Sequence, residues 1–524
     1  MADGDDAGSM AAQLRAALER LDAGDVQERE THISWVFLVG ERAYKLKKPL
    51  VLAFLDYGTV ARRRQMCLEE VRLNRRLAPS IYLGVRSIVA GPSGLDLSDE
   101  GDPRALDYVV EMRRYDEART LAAELGRREV RGPEIADVGR ALAAFHADCP
   151  AMTGPQYGTQ RLERGLDRNI EELLAVTEDQ GERRRIRALA RFMNAYVDSR
   201  WCELEERARS GCVRECHGDL RAEHVVFEER LSIVDCVEFD PELRTLDVAD
   251  DLAFLVMELE SLGGGHLIDP LIDAYDAASG APADHLLAFF AVHRALVRAK
   301  VLLVRAAQDP PGSSSRAGAM AEAGALVDVA ERFCWRARLP LGIICCGVPA
   351  SGKSHLARAM AKRSSLAHLS SDVIRKQLAG LRATRTAAPE HYSDEFSWAT
   401  YAELGRRAAA EIEASSGVIL DATFRRRRDR DAFAEGFAGA APLLFVECLA
   451  PAELLVERAR ARERDPARVS DATVEVVMRE RHAWDPLDEL AALDHVALRT
   501  DRCVESVIAD LEALLDERLL VRGR

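Results

Sequence analysis

No apolar run in these 524 residues approaches the roughly 20 needed to cross a bilayer, which excludes a helical membrane span. A basic leader is also missing: the first residues, MADGDDAGSM, are acidic where a secretory or mitochondrial targeting segment is basic. The 11 cysteines are odd in number and scattered from Cys67 to Cys503, which does not suit a disulfide-stapled secreted fold. Positive charge is in deficit. With 72 Lys and Arg against 87 Asp and Glu, the net charge of −15 sets the surface against duplex nucleic acid and anionic membrane, while still allowing a local basic site for a phosphate. There is no internal repeat in the range of roughly 20–50 residues. Cys212, Cys216 and His217 form the one metal-like group, but no second cluster at zinc-finger spacing follows, so reduced thiols are the better reading. What remains is a cytosolic globular chain, 48% hydrophobic and 30% charged, with room for two to four domains at roughly 100–200 residues each.

A seam divides the chain. Gln308 to Arg316 collects Pro, Gly and Ser in the manner of a linker, here set at 308–318 between domains 1–307 and 319–524. The first part opens with a helix, Met10 to Leu21. Strands Ser34–Val39 and Arg42–Lys47 follow, joined by the hairpin signal Gly40-Glu41, then a helix Val60–Leu77 and a strand Leu106–Met112. From Pro133 the pattern is mainly helical, interrupted by short β-like runs at 225–227 and 231–235. The second part starts with a helix at about 319–336. Consecutive apolar strands at 341–346, 418–420 and 443–446 alternate with helical segments, the pattern of a parallel sheet covered on both faces.

The strongest chemical signal lies in this second part. Gly347, Val348, Pro349, Ala350, Ser351, Gly352, Lys353 and Ser354 fit G-x-x-x-x-G-K-[ST], between a buried strand and a helix at 355–362. Such a loop points successive backbone N–H groups at phosphate oxygens, and the helix N-terminus adds positive potential. Lys353 is then placed for the β/γ-phosphates and Ser354 for Mg²⁺. Asp372, at the end of the second strand, is a candidate general base, with helix capping as the alternative. Arg375, three residues on, can orient a substrate hydroxyl or phosphate. Asp421 closes a buried strand as a Walker-B-like metal residue. Arg458 and Arg462, among the four arginines 458, 460, 462 and 464, share a helix face and can close over the transferring phosphate. The denser cluster Arg425–Arg428 with Arg430 is either an anion site or a solvated helix face.

GVPASGKS, SSDVIR and VILDATF together resemble the small P-loop kinases that include zeta toxins, polynucleotide 5′-kinases, gluconate kinase and chloramphenicol phosphotransferase, over roughly residues 341–515. The resemblance implies Asp372 as base and the 458–464 arginines as lid. It gives the reaction type and not the substrate.

In the first part, Cys216-His217-Gly218-Asp219 leads through His224 and a β-hairpin to Asp235. A catalytic carboxylate, a metal ligand five residues later and a second metal carboxylate beyond a hairpin are the parts of a protein-kinase-like site. Asp219 is the candidate base, with Asp235 and His224 as metal ligands. The segment is similar to the aminoglycoside phosphotransferase family, whose loop reads HGDLHxxN, and to its branch fused to a P-loop kinase. The similarity spans roughly residues 31–306 and includes the helix that follows Asp247. His224 departs from that loop by replacing asparagine. Imidazole ligates metals, but Mg²⁺ prefers oxygen, so the departure bears on the second metal or on catalysis itself. No G-x-G-x-x-G is present, as in many members of that family. Lys45 and Lys47 share a strand face; Lys45, paired with Glu70, is the candidate phosphate-binding lysine, the alternative being two lysines that shield a sheet edge.

The predicted architecture is an α+β kinase-like bilobal domain followed by an α/β P-loop NTPase domain with a parallel sheet. The predicted activity is ATP- and Mg²⁺-dependent transfer of phosphate to the hydroxyl of a small molecule. Two alternatives stand beside it: a first domain that is a pseudokinase or ligand sensor, and an ATP-hydrolysing switch.

Overall fold

The computed structural model describes residues 3–21, 26–52, 55–464 and 469–522. Two compact units are formed: Met1–Leu166 with Trp201–Leu302, here the front unit, and Asp167–Arg200 with Leu303–Arg524, here the P-loop unit. This differs in two places from a division at 308–318. The stretch that reads as a linker is mostly helical: one helix ends at Gln308 and the next, Ser314–Arg336, begins before 319. Its serines have a different task, since the Ser313 side chain caps that helix by accepting from Arg316 N. Second, the helix Gln180–Ser199, from the first part of the sequence, belongs to the P-loop unit. It buries Ile186, Leu189, Phe192, Met193 and Tyr196, and packs on Ser314–Arg336 and on the last helix, Val504–Arg522.

In the front unit, strands β1 (Gln27–Glu30), β2 (Ser34–Val39) and β3 (Arg42–Lys47) precede a small hairpin, β4 (Val51–Leu52) with β5 (Leu55–Asp56). The helix Val60–Asn74 follows, ending three residues before the expected Leu77, and then β6 (Tyr82–Gly91), β7 (Gly94–Asp99) and β8 (Asp107–Arg113). The six long strands form one antiparallel sheet in the order β1-β2-β3-β8-β6-β7. β3 is therefore internal, paired to β2 on one side and β8 on the other, which removes the sheet-edge reading of its lysines. Leu14 and Leu18 of the N-terminal helix cover one face with Phe37, Leu46 and Val109. The helix Val60–Asn74 covers the other through Cys67 and Val71, against Val85 and Val110.

The helical lobe carries the His217-Gly218-Asp219 segment between short strands. β9 (Val213–Glu215) pairs with β12 (Thr245–Asp247), and β10 (Val225–Phe227) forms a hairpin with β11 (Leu231–Ile233). Behind them lie the helices Gly132–Asp148, Val248–Ser261 and Ile268–Ser279.

The P-loop unit holds β13 (Leu341–Cys346), β14 (Ala367–Ser370), β15 (Gly417–Asp421), β16 (Leu443–Leu449) and β17 (His495–Arg499) in one parallel sheet, ordered β14-β15-β13-β16-β17. Every residue of β13 is buried. Ile343 and Cys345 enter the core on one face, while Ile344 and Cys346 enter the core on the other. In such a sheet the functional crevice forms at the carboxyl ends of the strands. No helix among the described residues is long and apolar enough to cross a membrane.

Candidate active sites

In the front unit the sheet brings two lysines to two carboxylates. Lys45 Nζ lies 2.8 Å from Glu70 Oε1 and 2.9 Å from Asp235 Oδ1. The Lys45–Glu70 pair stands where the sequence places it, and the structure adds Asp235 to it. Lys47, two residues on and on the same strand face, lies 2.6 Å from Glu70 Oε2 and 2.5 Å from Glu238 Oε1. Tyr57 also donates to Glu238, at 2.7 Å. Burial works against the charge on Lys45, yet Asp235, Glu70 and Glu238 outweigh it and hold the ammonium well above its ordinary pKa. The Lys45 charge in turn holds the Asp235 carboxyl well below the usual carboxylate range. Lys47 was legible only as the neighbour of Lys45 on its strand face; its pairing with Glu238 carried no sequence signal, because Glu238 lies 191 residues away.

Asp219 follows Gly218, which sits at φ +86°, where a Cβ would come within 2.9 Å of Leu243 O; only glycine fits this turn. The loop is held from below. Asp251 accepts from His217 N at 3.0 Å and Gly218 N at 2.9 Å, and meets His146 Nε2 at 3.1 Å. His146 Nδ1 reaches Tyr275 at 2.9 Å. His146, Cys216 and Asp251 are close enough to suggest a metal, but Asp251 and His146 are already engaged in this buried network. The Cys212–Cys216–His217 group separates as well: Cys216 turns to Leu246 O and His217 Nε2 to Val234 O at 3.0 Å.

Above this support the Asp219 carboxylate accepts no hydrogen bond among the described residues, and His224 Nδ1 lies 3.8 Å from its Oδ2. Asp235 adopts a left-handed backbone at φ 65°, and its N–H donates to the Tyr82 hydroxyl at 3.2 Å. His224 Nε2 lies 3.7 Å from Asp235 Oδ2. Asp219, His224, Asp235 and Lys45 are thus linked in one chain of near neighbours.

In the P-loop unit the loop runs from β13 into the helix Lys353–Ser364, two residues earlier than the expected helix start. Lys353, Ser354, Asp372, Asp421, Arg458 and Arg462 line one cleft of about 780 Å³ at the carboxyl ends of the strands. Ser370, not Asp372, is the N-cap of the helix Ser371–Leu378, and no side chain caps it. Asp372 is therefore in the first turn with its carboxylate uncommitted. Burial raises its pKa; Lys353 opposes this and Asp421 reinforces it. Asp421 is buried, and its Oδ1 has no hydrogen-bond partner. His368 Nε2, buried and likewise without a hydrogen bond, lies 3.9 Å from Asp421 Oδ2. The only sequence signal for His368 was a polar residue alternating with apolar ones along β14.

The arginines divide. Arg458 and Arg462 face the cleft, whereas Arg460 and Arg464 are exposed. Arg458 is anchored by Thr500 O at 2.6 Å and Ala350 O at 3.5 Å. Arg375 is buried, stacked on the Tyr392 ring at 4.9 Å, and donates to His391 O at 2.8 Å and Ser397 Oγ at 3.2 Å. It shapes the wall beside Asp372 and does not line the cleft itself. In the 425–430 cluster Arg426 and Arg428 share Asp394, and buried Arg430 pairs with Glu489.

A buried carboxylate oxygen with no partner, beside Ser354, suits a hydrated divalent cation, and Lys353 on the loop suits the polyphosphate that accompanies it. In the front unit Asp235 Oδ2, not used by Lys45, and His224 Nε2 are the corresponding donors.

The model of the phosphotransferase enzyme family matches residues 38–325, and that of an AAA domain matches residues 343–487. An uncharacterized protein of Mycobacterium tuberculosis (strain H37Rv) is 32% identical over 462 residues, 86% of this chain and 88% of its own length, and so is one of Mycobacterium bovis. Among solved structures, a gluconokinase from Sinorhizobium meliloti is 22% identical, covering 35% of this chain and 96% of its own at a TM-score of 0.26. A choline/ethanolamine kinase family protein from Mesorhizobium loti is 18% identical, covering 60% and 94%, with a TM-score of 0.38. The resemblances read from the sequence over roughly 31–306 and 341–515 overlap these two matched regions. The chain belongs to the phosphotransferase enzyme family and carries an AAA-type domain in the same polypeptide.

Proposed function

We propose that the chain is an ATP-dependent phosphotransferase with a nucleotide site in each unit, moving the γ-phosphate to the hydroxyl of a small molecule with a divalent cation as cofactor. The observation that carries this reading occurs twice. A carboxylate without a hydrogen-bonded partner, Asp219 or Asp372, stands beside a lysine and a second carboxylate suited to a metal, Lys45 with Asp235 or Lys353 with Asp421.

In this reading Asp372 takes the acceptor's proton, and its raised pKa strengthens it as a base. Lys353 neutralises charge on the β/γ-phosphates, and Arg458 and Arg462, which line the same cleft, add to it. Ser354 and Asp421 hold the cation. In the front unit Asp219 is the base, Lys45 meets the phosphates, and Asp235 holds the cation. The cation supplies charge neutralisation of the polyphosphate when bound.

The test is a screen of metabolite extract with γ-labelled ATP on the full chain, alongside Asp219→Asn, Asp372→Asn and the double variant. Label transferred to small molecules, lost in part with each single variant and fully with the double, supports two active units. Loss with Asp372→Asn alone leaves the front unit as a sensor. Release of phosphate without transfer to any molecule makes the chain an ATP-driven switch instead.

A further inference from the structure

His224 is not simply an asparagine replacement of similar reach, because its ring is oriented. The side chain is 9% exposed, and Nδ1 lies 2.8 Å from the backbone oxygen of Asp219. A carbonyl oxygen only accepts, so Nδ1 carries the proton, and a neutral ring presents the Nε2 lone pair. This nitrogen makes no hydrogen bond among the described residues. It faces two carboxylate oxygens, Asp235 Oδ2 at 3.7 Å and Glu223 Oε1 at 3.6 Å. Asp235 divides its oxygens, Oδ1 going to Lys45 and Oδ2 turning to the imidazole.

Two donors on one ion with bonds of about 2.1 Å lie about 3.0–3.4 Å apart in octahedral or tetrahedral geometry, so the His224–Asp235 spacing needs to close by only a few tenths of an ångström. Glu223 is half exposed and pairs with Arg221, so it is not counted as a donor. The backbone hydrogen bond to Nδ1 is the usual way a histidine ligand is oriented and made more basic.

We propose that the divalent-cation site of the front unit is a mixed nitrogen–oxygen site, His224 Nε2 with Asp235 Oδ2, that takes Mn²⁺ or a similar first-row transition ion in preference to Mg²⁺. The inference rests on the reading that the front unit binds a metal–nucleotide. Imidazole favours transition ions, whereas an all-oxygen set favours Mg²⁺, and Mg²⁺ tolerates little departure from octahedral geometry. The unit would therefore respond to a different ion from the P-loop unit, whose Ser354 and Asp421 are oxygen donors.

The full chain carrying Lys353→Ala, which silences the P-loop, is labelled with ¹⁵N-histidine and loaded with Mn²⁺ and a non-hydrolysable ATP analogue of natural isotope content. Pulsed electron spin resonance on Mn²⁺ should show a ¹⁵N coupling, which can come only from protein histidine. The coupling should vanish in Lys353→Ala/His224→Asn, and calorimetry should show the Mn²⁺-over-Mg²⁺ preference falling on the order of tenfold or more. Circular dichroism checks that the variant is folded. Mn²⁺–nucleotide bound with no ¹⁵N coupling, or a coupling that persists without His224, overturns the proposal and leaves nucleotide binding by the front unit standing. No Mn²⁺–nucleotide bound at all overturns both.

Discussion

Asp372 and Lys47 show how differently two buried charges are used. The Asp372 carboxylate has no hydrogen-bonded partner, and burial raises its pKa. A carboxyl raised in the folded state binds its proton more tightly there than in the unfolded chain. Its burden on stability is therefore absent below the ordinary carboxyl range and grows as pH rises through that range toward the raised value. Asp372→Asn should thus be more stable than wild type at neutral pH, with the difference shrinking on acidification; urea midpoints at several pH values measure it. The same variant should lower phosphate transfer by the P-loop unit by about 10²–10⁴ while nucleotide affinity stays close to wild type. Equal losses in binding and turnover would mean that Asp372 is not a base. Lys47 is the reverse case: fully buried, it answers both Glu70 and Glu238. Lys47→Met should destabilise the front unit by about 3–5 kcal/mol, since two carboxylates are left sharing less charge. Adding Glu238→Gln should recover part of that loss in the same thermal melt, and no recovery would show that Lys47 acts through packing alone.

At the scale of elements, what the sequence revealed is what is local. The phosphate loop, the hairpin around Gly40-Glu41 and the HGD segment each place their functional atoms within a dozen residues, and all three form as expected. The helix Gln180–Ser199 shows where that stops. Its spacing of Ile186, Leu189, Phe192 and Tyr196 announces a buried face but not what buries it. The answer lies far along the chain, in Arg191 with Asp516 at 3.1 Å, Arg185 with Glu331 at 2.9 Å, and Phe192 under the Arg338 guanidinium at 5.0 Å. The serines at 313–315 misled for the opposite reason, because a helix cap and a flexible linker use the same residues. Lys47 and Glu238 were invisible as a pair because strand β3 and the segment after β11 meet only in the fold. Phe192→Ala should therefore weaken the P-loop unit by about 3–5 kcal/mol. The transition affected should be the one that an ATP analogue raises through Lys353. A shift confined to the transition insensitive to Lys353 would place the helix with the front unit.

For the whole molecule this assignment changes how the chain can be divided. A cut at 308–318 leaves the P-loop unit without residues 167–200 and leaves the buried faces of Ser314–Arg336 and Val504–Arg522 partly uncovered. A fragment 319–524 should accordingly aggregate or fail to show a cooperative melt, while the same fragment joined by a designed loop to 167–200 should fold. The two proposed nucleotide sites are then best counted in the intact chain. Calorimetric titration with a non-hydrolysable ATP analogue and both Mg²⁺ and Mn²⁺ should give two sites. Lys353→Ala should remove one, because the loop loses the cation that meets the β/γ-phosphates, and a charge-assisted contact of this kind contributes on the order of a few kcal/mol. Asp235→Ala should remove the other by taking away the carboxylate that pairs with Lys45 and faces His224. The double variant should bind nothing. A single site in the wild-type chain that disappears with Lys353→Ala and survives Asp235→Ala would confine nucleotide chemistry to the P-loop unit, and the Lys45–Glu70–Asp235 network would then be a structural remnant of a kinase-like site.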